Sequence, residues 1–176
     1  MGERRWTARR RTVRGAAAVE FALVLPILMV VIFGIVNYGL FFNDSLNARQ
    51  GVREAARQIA VHNFTLPAGA AASCSVSLGA KIKCITKSSV GALTGPAYVA
   101  VKPPTNWTRG SSITICTVVK PSSIARLVPM PSSARAMTSM SIEVDDSTLT
   151  AATMATNFPS PADTLPAGLS WPAGCT

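Results

Sequence analysis

The chain has 176 residues and a net charge of +9, with 48% hydrophobic, 6% aromatic and 14% charged residues. That leaves room for one modest domain plus an anchor, and it excludes a single ordinary soluble core, since so apolar a chain would bury more aromatics. Six arginines (Arg4, Arg5, Arg9, Arg10, Arg11, Arg14) against Glu3 put +5 of the charge ahead of the first apolar run, so the remainder has no aromatic-interleaved basic stripe and nucleic acid is excluded as a partner.

Residues 1–15 form a basic leader. An arginine cluster beside a membrane span acts as a topological signal that holds its own side in the cytoplasm and sends the rest across. Phe21 to Val36 is uninterrupted by any charged or strongly polar group, and with Glu20 and Asn37 allowed the apolar stretch runs over 16–42. As a helix it would measure roughly 40 Å, and about 20 residues suffice to span a bilayer. The run is longer than the core of a secretory signal, and no small-x-small cleavage site follows before Asn43, so a retained anchor is expected. Pro26 removes one backbone donor and is expected to kink or loosen the helix. Gly34 and Gly39 are five apart and do not make a G-x-x-x-G face.

Glu20 is the informative residue. A carboxylate in lipid carries a penalty of a few kcal/mol unless it snorkels to the surface or finds a partner. Snorkelling is one reading. The other follows from Gly15-Ala16-Ala17-Ala18-Val19-Glu20-Phe21: cleavage after Gly15 would leave Ala16 as a free ammonium one turn from Glu20. A basic leader, this Gly-x-x-x-x-Glu-Phe segment and an apolar helix together resemble class III prepilin-peptidase substrates of the type IV pilin superfamily. More closely, Arg14 to Pro26, Phe33-Gly34 and the block from Asn47-Ala48-Arg49 to Ala60 resemble the TadE-like pseudopilins of tight-adherence (Flp) pilus systems. The resemblance covers roughly residues 12–61. It implies peptidase cleavage between Gly15 and Ala16, and helix registration by Glu20 and Phe21. It further implies a bacterial inner-membrane location with the C-terminal part outside. The partners implied are the membrane, a prepilin peptidase, other pilin-like subunits and a pilus assembly platform.

Past a polar break at Asn43-Asp44-Ser45, which gives no reason for a helix to stop, residues 43–63 read as an amphipathic helix. Val52, Ala55, Ala56, Ile59 and Ala60 form its narrow apolar stripe. Arg49, Arg53 and Arg57 recur on another face, with Glu54 able to meet Arg57. Asn63 and Pro67-Ala68-Gly69 end it.

From residue 64 to 154 the pattern becomes alternating. Cys74/Val76/Leu78, Ile82/Cys84, Ala97–Lys102, Ile113 to Val119 and Met140/Ile142/Val144 read as half-buried strands of a small, mostly antiparallel sheet. The fold class expected is thus α+β: a long N-terminal transmembrane helix continuing as an amphipathic helix, then a small β-rich head with disulfides. A three-residue turn at Leu78-Gly79-Ala80 would set Cys74 opposite Cys84. Cys116 is then left for Cys175, which would tie down a proline-rich tail over 155–176, although four cysteines allow three connectivities. No catalytic, metal or phosphate-cradling motif is present, His62 is the only histidine, and Asp145-Asp146 point apart. No enzyme and no cofactor are expected. The competing reading is an unprocessed, single-pass membrane-anchored extracytoplasmic binding module.

Overall fold

The computed structural model describes residues 7–91, 93–122 and 129–175, with backbone only for 7–14. Arg4 and Arg5 lie outside the described residues, as do the side chains of Arg9, Arg10, Arg11 and Arg14. The elements are α1 (Thr7–Ala60), a 3₁₀ turn (Ala72–Ser75), α2 (Leu78–Ser89), β1 (Ala97–Lys102), β2 (Ser112–Val119), β3 (Ala134–Ser141) and α3 (Ala151–Asn157). Two units form, one of Met1–Gly39 with Ser123–Met130 and one of Leu40–Ser122 with Pro131–Thr176.

α1 is a single helix of 54 residues, about 80 Å long at 1.5 Å per residue. Its sequence explains the length. Alanine, leucine, methionine and arginine are strong helix formers, Asn43-Asp44-Ser45 brings neither glycine nor proline, and Pro26 sits inside without ending the helix. Termination comes at His62, in the left-handed region at φ 62°. There the Asn63 N–H bonds the Gln58 carbonyl (2.9 Å) and the His62 N–H bonds that of Ile59 (2.9 Å), a Schellman closure that ordinarily takes glycine. Downstream, the Glu143 N–H satisfies the Ala60 carbonyl at 2.8 Å.

The sheet is an antiparallel meander, β1-β2-β3, with Val99 opposite Thr117 and Thr117 opposite Ala136. One face supplies Val99, Val101, Ile113, Ile115, Val119 and Ala136 to a core shared with Ala48, Val52, Ala55, Ala56 and Ile59 of α1 and Ile82 and Ile85 of α2. The opposite face buries Ala100 and Cys116 against Cys175, with Ala162 and Trp171 packed alongside. Both faces of β2 are therefore covered, which suits its run of β-branched residues.

Two expectations are corrected. The segments around Cys74–Leu78 and Ile82–Cys84 are not strands of a hairpin: the first is the 3₁₀ turn and the second lies in α2. The Ser77 hydroxyl accepts from the Ala80 N–H at 3.1 Å and caps α2, and Ile82, Ile85 and Thr86 share its buried face at helical spacing. The last strand ends at Ser141 instead of continuing through Val144. The Ile142 N–H still bonds Ser111, but the next residue leaves the sheet to cap α1.

Candidate assembly segment and the head that follows it

The first part of α1 offers nothing resembling a folded core. From Gly15 to Ile32 every residue is exposed, with Val19 62% and Leu23 70% accessible, so the helix is apolar on all sides and uncovered. It is long and apolar enough to cross a membrane. Glu20 is the single ionisable side chain within 15–36; it is exposed, and no partner for it exists among the described residues. Gly15 lies within the helix in open space, where an added Cβ would meet nothing within 4 Å. Packing in this chain therefore gives no reason for glycine at position 15.

Towards the end of the apolar run the environment changes. Phe33 and Gly34 are half-buried and Asn37 is buried, one turn apart on the helix. The Tyr38 hydroxyl donates to the Pro129 carbonyl at 3.1 Å, which joins the β2–β3 connection to this turn.

Beyond Leu40 the helix becomes part of the head. The stripe of Val52, Ala55, Ala56, Ile59 and Ala60 is buried, each at 3% exposure or less. Gly51 belongs to the same contact. A Cβ there would collide with Val90 Cα and lie 2.6 Å from the Ser89 carbonyl oxygen, so α2 approaches α1 backbone to backbone. Asp44, expected as part of a polar break, is instead fully buried and accepts from the Thr94 N–H (3.0 Å) and hydroxyl. The Thr94 carbonyl in turn accepts from Ser122 at 2.8 Å. Asp44 stands four residues before Ala48 and eight before Val52, in register with the apolar stripe; that register was the signal for its burial. On the solvent side Arg57 forks onto Glu54 (2.8 and 3.0 Å), and this bond, aided by Gln58, brings the Glu54 carboxyl down to about 2.

Cys74 and Cys84 are joined across ten residues with Cα atoms 5.8 Å apart, linking the 3₁₀ turn to α2. Cys116 and Cys175 are joined across 59 residues, 6.1 Å between Cα atoms, and carry the tail onto the back of β2. The tail has further holds that sequence reasoning missed. The Asp163 carboxylate pairs with Lys87 (2.7 Å) and Lys83 (3.2 Å) and accepts from the Val99 N–H (3.1 Å), while the Val101 N–H bonds the Pro161 carbonyl. Lys83 and Lys87 are one turn apart on α2, so the pair that clasps Asp163 exists only because this segment is helical. On the other side of the head, His62 meets Asp146 at 2.9 Å and stacks edge-on with Phe64 and Trp107, giving its left-handed backbone a compensating set of contacts.

These carboxylates predict an acid sensitivity. Burial works against ionised Asp163, but Lys87, the Val99 N–H and Lys83 outweigh it and hold its pKa below the usual range. Asp146 is lowered by the Thr148 hydroxyl and N–H, with His62 adding to them. A carboxyl whose pKa is lower folded than unfolded stabilises the fold above the unfolded value of about 3.9 and loses that contribution as pH falls through the folded value. The melting temperature of the full chain in uncharged detergent is expected to fall steeply below about pH 4. Asp163→Asn should flatten that fall, and an unchanged profile would refute the assignment.

Residues 15–57 match the family described as TadE-like protein, which points to a Tad pilus-related protein. The match begins at Gly15, covers Glu20, Phe21, Pro26 and Asp44, and ends within the buried stripe of α1. No curated protein and no solved structure matches the chain.

Proposed function

From the TadE-like match over residues 15–57, we propose that this protein is a minor pilin-like subunit, a pseudopilin, of a Tad/Flp-type pilus assembly or secretion system. It is a structural subunit and not an enzyme. The leader stays cytoplasmic, 16–42 crosses the bacterial inner membrane, and the head stands outside it. A prepilin peptidase removes residues 1–15, and the mature helix packs beside those of other pilin-like subunits on the assembly platform.

The observation that carries this reading is a carboxylate, Glu20, exposed and without a partner among the described residues on a helix otherwise apolar all round. Such a group is costly in lipid unless a cation is supplied. Cleavage after Gly15 supplies one, because the new Ala16 ammonium lies four residues away, about 6 Å along the helix. It can serve Glu20 of its own chain or of a neighbour. The open space around Gly15 fits a requirement imposed by a protease that must unwind this turn, since glycine lowers helix stability by about 1 kcal/mol.

N-terminal sequencing of membrane-extracted protein, co-expressed with the cognate peptidase, is expected to start at Ala16. Gly15→Leu should leave the 15-residue leader in place. A wild-type chain that still begins at Met1 would reduce the protein to the unprocessed membrane-anchored module.

A further inference from the structure

Where α1 leaves the apolar run, the head carries a groove of about 530 Å³ whose chemistry nothing above uses. Its α1 wall is Phe41, Phe42, Ser45 and Arg49, and its opposite wall is the approach to β3, with Ser133 and Arg135. Ser45 and Arg49 lie four residues apart and so share a helix face with Phe41 and Phe42 above them. The Arg135 Nε–H donates to the Ser133 hydroxyl at 3.1 Å, which steadies the guanidinium at the rim. Both arginines are exposed, neither is in an ion pair among the described residues, and no acidic side chain lines the groove. Arg57, by contrast, is neutralised by Glu54.

We propose that this groove binds the phosphate of an anionic phospholipid in the leaflet adjoining the head. Guanidinium groups suit phosphate because they present paired donors in a rigid fork, and serine hydroxyls add neutral donors. The position along the helix selects a lipid over a soluble phosphate. Phe42 is the last residue of the apolar run and is 61% exposed, an apolar surface suited to acyl-chain carbons. Arg49 follows seven residues later, about 10 Å along the axis. The headgroup region adds roughly 5–8 Å to each side of the hydrocarbon, so with Phe42 at its base the Arg49 backbone stands just beyond its outer edge and the long arginine side chain reaches back to the phosphates. A soluble anion would have no use for the aromatic end of the groove. The site rests on α1 spanning the membrane, but not on leader cleavage.

The test is native mass spectrometry of the full chain in an uncharged detergent, titrated separately with phosphatidylglycerol, phosphatidylcholine and inorganic phosphate. Phosphatidylglycerol should be retained in preference to phosphatidylcholine. Its affinity should drop about fivefold in Arg49→Gln and about thirtyfold in Arg49→Gln/Arg135→Gln, with far-UV circular dichroism unchanged. Arg53→Gln, which removes an equal charge from the same helix outside the groove, should have little effect and so discounts attraction to the leader arginines. Equal losses in Arg53→Gln and Arg49→Gln, no loss in Arg49→Gln, or displacement of the lipid by an equal concentration of inorganic phosphate would each overturn the proposal. A chain that retains its leader yet shows the selective loss would support the groove while contradicting the pseudopilin reading.

Discussion

Replacing Glu20 with leucine is expected to leave the chain folded and membrane-inserted, but to lower its incorporation into assemblies with other pilin-like subunits by about a hundredfold. The magnitude follows from the cost of a carboxylate in lipid, about 3 kcal/mol, which pairing with a cation removes and which therefore appears as association free energy. In a lone anchor the same substitution deletes a penalty and leaves insertion equal or better. The sign of the effect on assembly thus separates a subunit that uses its charge from a tether that merely tolerates it. Co-purification of tagged wild-type and Glu20→Leu chains with their neighbouring subunits, normalised to the amount in the membrane, measures it. Equal recovery would remove the case for Glu20 as a registering residue. Glu20→Asp keeps the charge on a shorter arm and should recover part of the loss, whereas a packing role for the longer side chain would give no such recovery.

How much of this was legible in the sequence depended on how local the signal was. The apolar run, the stripe from Val52 to Ala60 and the Glu54–Arg57 pair could be read directly, because each is a relation between residues on one helix. The strand Ala97–Lys102 and the alternation around Ile115 were equally visible. The segment from Cys74 to Cys84 was misread because its apolar residues satisfy two periods. Ile82 and Cys84 alternate with lysines, but Ile82, Ile85 and Thr86 also repeat at helical spacing, and the serine cap at Ser77 was the cue that decides between them. The two cysteine pairs of the structure are those the hairpin argument suggested, although the hairpin does not exist; an α-helix following a tight turn brings Cys74 and Cys84 together as well. Asp163 and Asp44 were not legible as anchors. Their partners, Lys87 and Thr94, are 76 and 50 residues away in sequence; the register of Asp44 with the apolar stripe signals its burial but not what clasps it, and nothing local says that a carboxylate in a proline-rich tail will be clasped.

The second large effect concerns a residue whose importance is wholly a matter of space. Gly51→Ala is expected to destabilise the head by about 3 kcal/mol, at the upper end of what one added carbon costs in a packed interior. The reason is that the obstacle is backbone. A new Cβ would collide with Val90 Cα and sit 2.6 Å from the Ser89 carbonyl oxygen, and no rotamer change relieves a clash with main chain. The C-terminus of α2 would have to shift away from α1, opening the contact that buries Val52 and Ala55 beside it. For a head of this size the loss corresponds to a fall in melting temperature of about 10 °C. Gly39→Ala is the internal control, since the same helix there has nothing within 4 Å of an added Cβ and alanine improves helix propensity by up to about 1 kcal/mol. Thermal unfolding of the two variants in the same detergent should therefore diverge in sign. If Gly51→Ala melts with the wild type, α1 and α2 are not in backbone contact, and the arrangement of the head around the second half of α1 would need to be redrawn.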